Sequence, residues 1–93
     1  MHYVYLLEDQ VDRGWYIGYS TKPVPRLDQH RSGLVYSTRL KQALRIIYVE
    51  GYLNKFDALG RERFLKSGAG RRFLRKQLKH HLEDQNKTPL TYP

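Results

Sequence analysis

Two β-prone runs, Tyr3-Val4-Tyr5-Leu6-Leu7 and Trp15-Tyr16-Ile17-Gly18-Tyr19, stand on either side of a polar stretch that ends in Gly14. This arrangement constrains the fold more than any other feature of the chain. It predicts a hairpin, and a hairpin places Tyr5 and Tyr16 near each other on one small sheet. The first run is apolar at successive positions, as expected of a strand covered on both faces. Gly18 weakens the second run; a strand tolerates such a glycine at a bulge, or where another group must approach the backbone closely. Glu8 to Arg13 reads as the polar turn between the strands.

Ser20 to Pro25 then reads as a helix start, with Thr21 as the capping candidate and prolines at positions the first turn accepts. That helix is expected to run to about Arg31, with Gly33 as its stop. Leu34 to Gln42 has no clean periodicity and reads as an exposed basic loop. Leu44 to Glu50 is the strongest strand, rich in β-branched residues. Lys55 to Lys66 reads as a helix in which Gly60 costs about 1 kcal/mol. Ser67-Gly68-Ala69-Gly70 interrupts it, and an amphipathic pattern from Arg71 to about Glu83 follows, with Leu74, Leu78 and Leu82 on one face. The expected domain is residues 1–83, with 84–93 as a loose tail. The element order β-β-α-β-α-α defines an α/β (α+β) domain on a small sheet.

Ninety-three residues suit one domain with a modest core. The absence of cysteine removes disulfides and thiolate zinc sites. No apolar run approaches the roughly 20 residues that span a bilayer, so a cytoplasmic protein with no membrane partner is expected. The net charge of +8 points to a polyanionic partner, nucleic acid ahead of an anionic membrane surface. Arg39 in the loop, Lys66, and Arg71, Arg72 and Arg75 on the last helix offer contacts to phosphates, with affinity that falls as salt rises. A charged, solvated face is the plain alternative.

Four residues separate Arg26 from His30, which sets them on one face of the first helix. Arginine offers a planar fork for phosphate, and histidine exchanges a proton near neutral pH. An ordinary solvated Arg and His would look the same. Glu62 emerges beside Ala58, Leu59 and Leu65, on the apolar side of its helix. A carboxylate there must be paired, protonated or coordinated to a metal. One carboxylate with several waters suits Mg²⁺, while an ion pair with Arg61, Arg63 or Lys66 is equally open. Tyr5 and Tyr16 need nearby positive charge to titrate near neutrality; otherwise a phenol positions water or a phosphate oxygen while neutral. Tyr3, Tyr19 and Tyr48 read as packing tyrosines.

Taken in order, these groups resemble the GIY-YIG endonuclease superfamily, in particular small stand-alone members related to the N-terminal nuclease domain of a bacterial excinuclease. The resemblance runs from Tyr3 to about Leu78. Tyr3-Val4-Tyr5 and Tyr16-Ile17-Gly18 match the two signature triplets. Arg26-Leu27 with His30 and Gly33, Thr38-Arg39, Ala58-Leu59 with Arg61-Glu62, and Leu65 to Arg71 follow. It implies a three-stranded antiparallel sheet flanked by helices, and metal-dependent hydrolysis of a nucleic-acid phosphodiester. Carried over, Glu62 holds Mg²⁺ or Mn²⁺, Arg26 stabilises charge on the phosphate, and Tyr5 activates or orients water with help from His30. Tyr16 contacts the phosphate or the water. Two departures stand out: Tyr3 replaces the glycine of the first triplet, and only Gln77 offers the amide that many relatives carry after the glutamate.

The expected activity is cleavage of DNA, with RNA open, selective for structure and compatible with repair or recombination. One rival is a binding module that keeps the fold without turnover. Another is an adaptor, which requires exposed Leu74, Leu78 and Leu82.

Overall fold

A computed structural model describes residues 1–41 and 43–87. Strands β1 (His2–Asp9), β2 (Trp15–Ser20) and β3 (Leu44–Tyr52) form one sheet in the order β2-β1-β3, antiparallel at both seams. Alternation along the central strand explains its apolar run. Val4 and Leu6 face one side, in a core with Ala58, Leu65 and Leu74, while Tyr5 and Leu7 face the other with Leu27 and Leu44. A bulge sits where the β1–β3 pairing slips between Leu6–Tyr48 and Leu7–Ile46, leaving Ile47 as the extra residue.

The polar turn expected from Glu8 is corrected. β1 continues through Glu8 and Asp9, both buried, and the turn follows. Asp9 Oδ1 accepts from the Val11 N–H at 2.7 Å and the Asp12 N–H at 3.2 Å, so the side chain builds the turn from within the strand end.

Helix α1 (Pro23–Arg31) starts on its proline, as expected. Thr21 does not cap it; the residue before the helix is Lys22, whose N–H is bonded by Ser20 Oγ at 2.9 Å. Gly33 at φ +78° supplies the left-handed stop. Helix α2 (Lys55–Leu65) is capped by Asn54, which accepts from the Phe56 N–H at 2.8 Å. Helix α3 (Gly68–Gln77) is capped by Ser67. Only glycine fits at position 70, because a Cβ there would lie 2.0 Å from the Phe64 carbonyl oxygen where α3 folds back on α2.

Two further expectations change. The loop from Leu34 contains a 3-10 turn at Tyr36–Thr38 whose Thr38 is fully buried; Gln42, its expected last residue, lies outside the described residues. The single last helix is two. Leu78 leaves helical geometry and keeps its side chain against the core, and α4 (Lys79–Lys87) begins after it. Helix therefore extends through residues 84–87 of the expected tail, and 88–93 lie outside the described residues. Leu74 is fully buried, and Leu78 and Leu82 are partly so, which removes the exposed apolar face that an adaptor needs.

Two polar clusters fasten the helices to the sheet. Arg61 Nε and Nη2 donate to Glu50 at 2.8 and 3.0 Å, and Tyr52 and Tyr48 donate to the same carboxylate at 2.7 and 2.6 Å, fixing α2 to β3. Glu8, 0% exposed, accepts from Trp15 Nε1 at 3.0 Å and Gln85, and meets His81 at 3.2 Å, fixing α4 to β1.

Candidate active site

Tyr5 and Gly18 are partners in the β1–β2 register. The Tyr5 ring crosses Gly18 so closely that a Cβ would sit 2.3 Å from the phenol oxygen. The glycine in the second triplet is therefore the gap through which the tyrosine of the first reaches the β2 edge. There Tyr5 Oη meets His30 Nε2 at 2.8 Å, and His30 Nδ1 meets Thr38 Oγ1 at 2.7 Å. All three side chains are buried, so strand β1, helix α1 and the 3-10 turn are joined by a continuous polar line.

Charge around this line sets its protonation. Burial pushes the Tyr5 phenol above its usual value of 10.0; the nearby Arg26 guanidinium opposes the rise, and the Glu62 carboxylate adds to it. Burial, joined by the Arg26 charge, pushes His30 below 6.5. At neutral pH the line thus holds a protonated phenol and a neutral imidazole. The imidazole has one N–H and one lone pair, which Tyr5 and Thr38 share in either order. The positive charge near Tyr5 does not overcome burial, so the phenol is not a pre-formed phenolate.

Arg26 is partly exposed and donates through Nη1 to Gln29 Oε1 at 2.8 Å, and its guanidinium also stands close to the Tyr5 phenol. Tyr16 packs on the same face as Tyr5, against the Leu7–Leu27–Leu44 cluster. Its outer side lines a hollow of about 260 Å³ shared with Trp15, Ile17, Ser37, Lys66 and Arg71. Glu62, with its side chain 20% exposed, pairs with Lys66 Nζ at 3.2 Å, one of the partners the sequence left open.

Of the five expected phosphate contacts, Lys66 and Arg71 line the Tyr16 hollow. Arg75 lies over the Trp15 ring at 5.8 Å. Arg39 lies over Tyr36 at 3.9 Å, on the turn that carries Thr38. Arg72 sits apart with Ala69, Phe73 and Lys76. Gln77 is exposed at the end of α3.

Sequence reasoning missed Thr38 as a site member. The only signal was the Thr38-Arg39 pair inside a stretch that otherwise reads as solvated loop. No group of three or more His, Cys, Asp and Glu side chains able to hold a metal occurs among the described residues. That excludes an all-protein cage there, but it fits a hard divalent ion that keeps its waters and takes one carboxylate plus substrate oxygens. The Glu62–Lys66 pair is a helix-surface pair of the kind worth about 0.3–0.5 kcal/mol, too little to bar such an ion.

Residues 1–77 match the model of the GIY-YIG catalytic domain, and the chain belongs to the GIY-YIG family. Membership implies nuclease activity in general and a nucleic-acid substrate, and nucleases of this family are generally dependent on a divalent metal. The chain is 36% identical to a UPF0213 protein of Streptococcus pneumoniae serotype 4, over 97% of this chain and 87% of that protein. It is 35% identical, with the same coverage, to a UPF0213 protein of a second Streptococcus pneumoniae strain. No solved structure gives a significant match. Among the described residues, no helix is long and apolar enough to cross a membrane.

Proposed function

We propose that this protein is a divalent-metal-dependent endonuclease that hydrolyses DNA phosphodiesters, selects its substrate by structure and serves repair or recombination. The observation that carries this reading is the buried Tyr5–His30–Thr38 line beside Arg26, with Glu62 close enough to act on Tyr5. The scissile phosphate would lie against Arg26, whose guanidinium stabilises the charge that grows on its oxygens. Glu62 would hold Mg²⁺ or Mn²⁺, which when bound supplies Lewis-acid polarisation of the phosphate and neutralises the leaving oxygen. Tyr16 would contact the phosphate from the hollow it lines, and Lys66 and Arg71 would hold the flanking backbone, with Arg39 and Arg75 further out.

A neutral His30 whose Nδ1–H is given to Thr38 presents its Nε2 lone pair to Tyr5. As water attacks phosphorus, its proton passes to the Tyr5 oxygen while the phenol proton moves to His30 Nε2. The P–O bond to the leaving alkoxide breaks, and that oxygen takes a proton from solvent. In this account Tyr5 orients and relays, and His30 is the base that ends with the charge.

One observation favours a slow or inactive binding module: Gln77, the one candidate for the amide that many relatives carry after the glutamate, is exposed at the end of α3. A panel of duplex, single-stranded, flap and branched DNAs, with RNA counterparts, separates the two readings. With Mg²⁺ present the wild type is expected to cut at least one member, and Glu62→Gln to lose about 10²–10³ in rate, the usual scale for a lost electrostatic stabiliser. Equal rates in the two proteins would sink the metal assignment. Binding without cutting under either ion would establish the module.

A further inference from the structure

Tyr36 is 78% exposed, although it belongs to the same 3-10 turn as the fully buried Thr38. The turn is pinned to the site by the Thr38–His30 bond, and its middle residue, Ser37, lines the hollow of Tyr16, Lys66 and Arg71. Tyr36 is thus next in sequence to a residue that lines a hollow with two cationic side chains, and two positions from the residue bonded to His30. Its pose is set from one side: the Arg39 guanidinium lies 3.9 Å over the ring, and Arg39 Nη1 donates to the Tyr36 carbonyl at 2.8 Å. One aromatic face is occupied by a cation, and the other is left open.

We propose that the open face of Tyr36 is a stacking platform for one unpaired base beside the phosphate held in the hollow, with Arg39 contacting the adjoining phosphate. The proposal rests on the nucleic-acid reading of the site and deepens it by naming the substrate class. A base inside a duplex already stacks on both neighbours and cannot offer a face to the ring, whereas a base in a single strand, flap or junction can. A flat π-face against an exposed ring requires no particular base identity, so the selection is for strand structure and not for sequence. A nucleic acid suits this surface better than an apolar protein segment, because Arg39 lies on the ring, and Lys66 and Arg71 line the hollow of the neighbouring Ser37, in a chain of net charge +8.

The test measures binding by the intact protein in EDTA, where no cutting occurs, to fluorescent single-stranded, flap and blunt duplex DNAs of equal length. Tyr36→Ala is expected to weaken single-strand and flap binding about 5- to 150-fold and leave duplex binding unchanged. Its salt slope on the single strand should stay as in the wild type, whereas Arg39→Ala should lower that slope by about 0.7. Tyr36→Phe, which keeps the ring and loses the hydroxyl, should bind as the wild type does. Equal losses on duplex and single strand, or no loss on either, would overturn the platform. Failure of the nuclease reading shows up separately, as this same binding pattern with no cleavage once Mg²⁺ is restored.

Discussion

Gly18 leaves no room for a side chain beside Tyr5. A methyl group there meets the Tyr5 phenol at 2.3 Å, well inside van der Waals contact, and the ring is buried. Gly18→Ala is therefore expected to cost about 1–3 kcal/mol, the usual range for overpacking a filled core, and to separate Tyr5 from His30. Urea denaturation checks the first part. A second substitution isolates the cause: adding Tyr5→Ala removes the obstacle, so the double variant should be more stable than the sum of the two single losses predicts. Strict additivity would show that the methyl group harms something other than the ring.

Helices and strands are held by contacts that differ in how far along the chain they reach. The buried carboxylate of Glu8 is the anchor of α4, which meets it through His81 and Gln85, 73 and 77 positions away in sequence. Glu8→Ala is expected to cost about 1–3 kcal/mol, toward the low end because His81 and the partly exposed Arg45, whose Nη2 lies 3.4 Å from the carboxylate, can turn to water. Amide exchange should accelerate over α4 and stay slow in the sheet; uniform acceleration would mean that Glu8 supports the whole fold. Such distances also explain what could be read from the sequence. The three strands, the span of α1, its glycine stop and the existence of a break near Ser67 rest on neighbours within a few residues and were legible, although the break is shorter than expected, since Gly68 to Gly70 form the first turn of α3. Glu8 looked like turn material because its partners lie at the far end of the chain, and Thr38 looked solvated because its bond to His30 crosses between elements. The split at Leu78 was invisible because the leucine spacing of one helix continues through it. The site was legible to the extent that its spacing was local, as in Arg26 and His30. The protonation of Tyr5 was not, since burial and Arg26 oppose each other and only the packed structure decides between them.

Titrating groups couple the molecule as a whole to pH. Burial opposes the charge on Glu8, but the bonds from Trp15 and Gln85 and the His81 charge outweigh it, holding Glu8 below 4.5. Burial likewise opposes Glu50, and Arg61, Tyr48 and Tyr52 outweigh it to the same effect. His30 is held below 6.5. In each case the unfolded chain takes up its proton at higher pH than the folded one, so stability falls as pH drops, first below about 6.5 and further below about 4.5. On the alkaline side, burial and the Glu50 bond push Tyr48 from 10.0 to about 12, and Tyr5 and Tyr52 are raised as well. The unfolded chain then loses protons first, and stability falls as pH rises above about 10. Thermal melts from pH 3 to 11 should trace a plateau between these limits. His30→Gln should remove the first acid step and spare the second; an unchanged acid limb would show that His30 is not its source.

The central position of β1 has a further consequence, for the order in which the molecule is made. The strand that carries Tyr5 is made before β3, with which it pairs, and before Glu62, which acts on Tyr5 from 57 residues further along the chain. At about 5–20 residues per second, roughly 3–11 s of synthesis separate the two. During that interval the hairpin exists without α2, and the surroundings of Tyr5 are incomplete. A chain that handles nucleic acid thus passes those seconds beside the messenger RNA that encodes it with its own site unassembled.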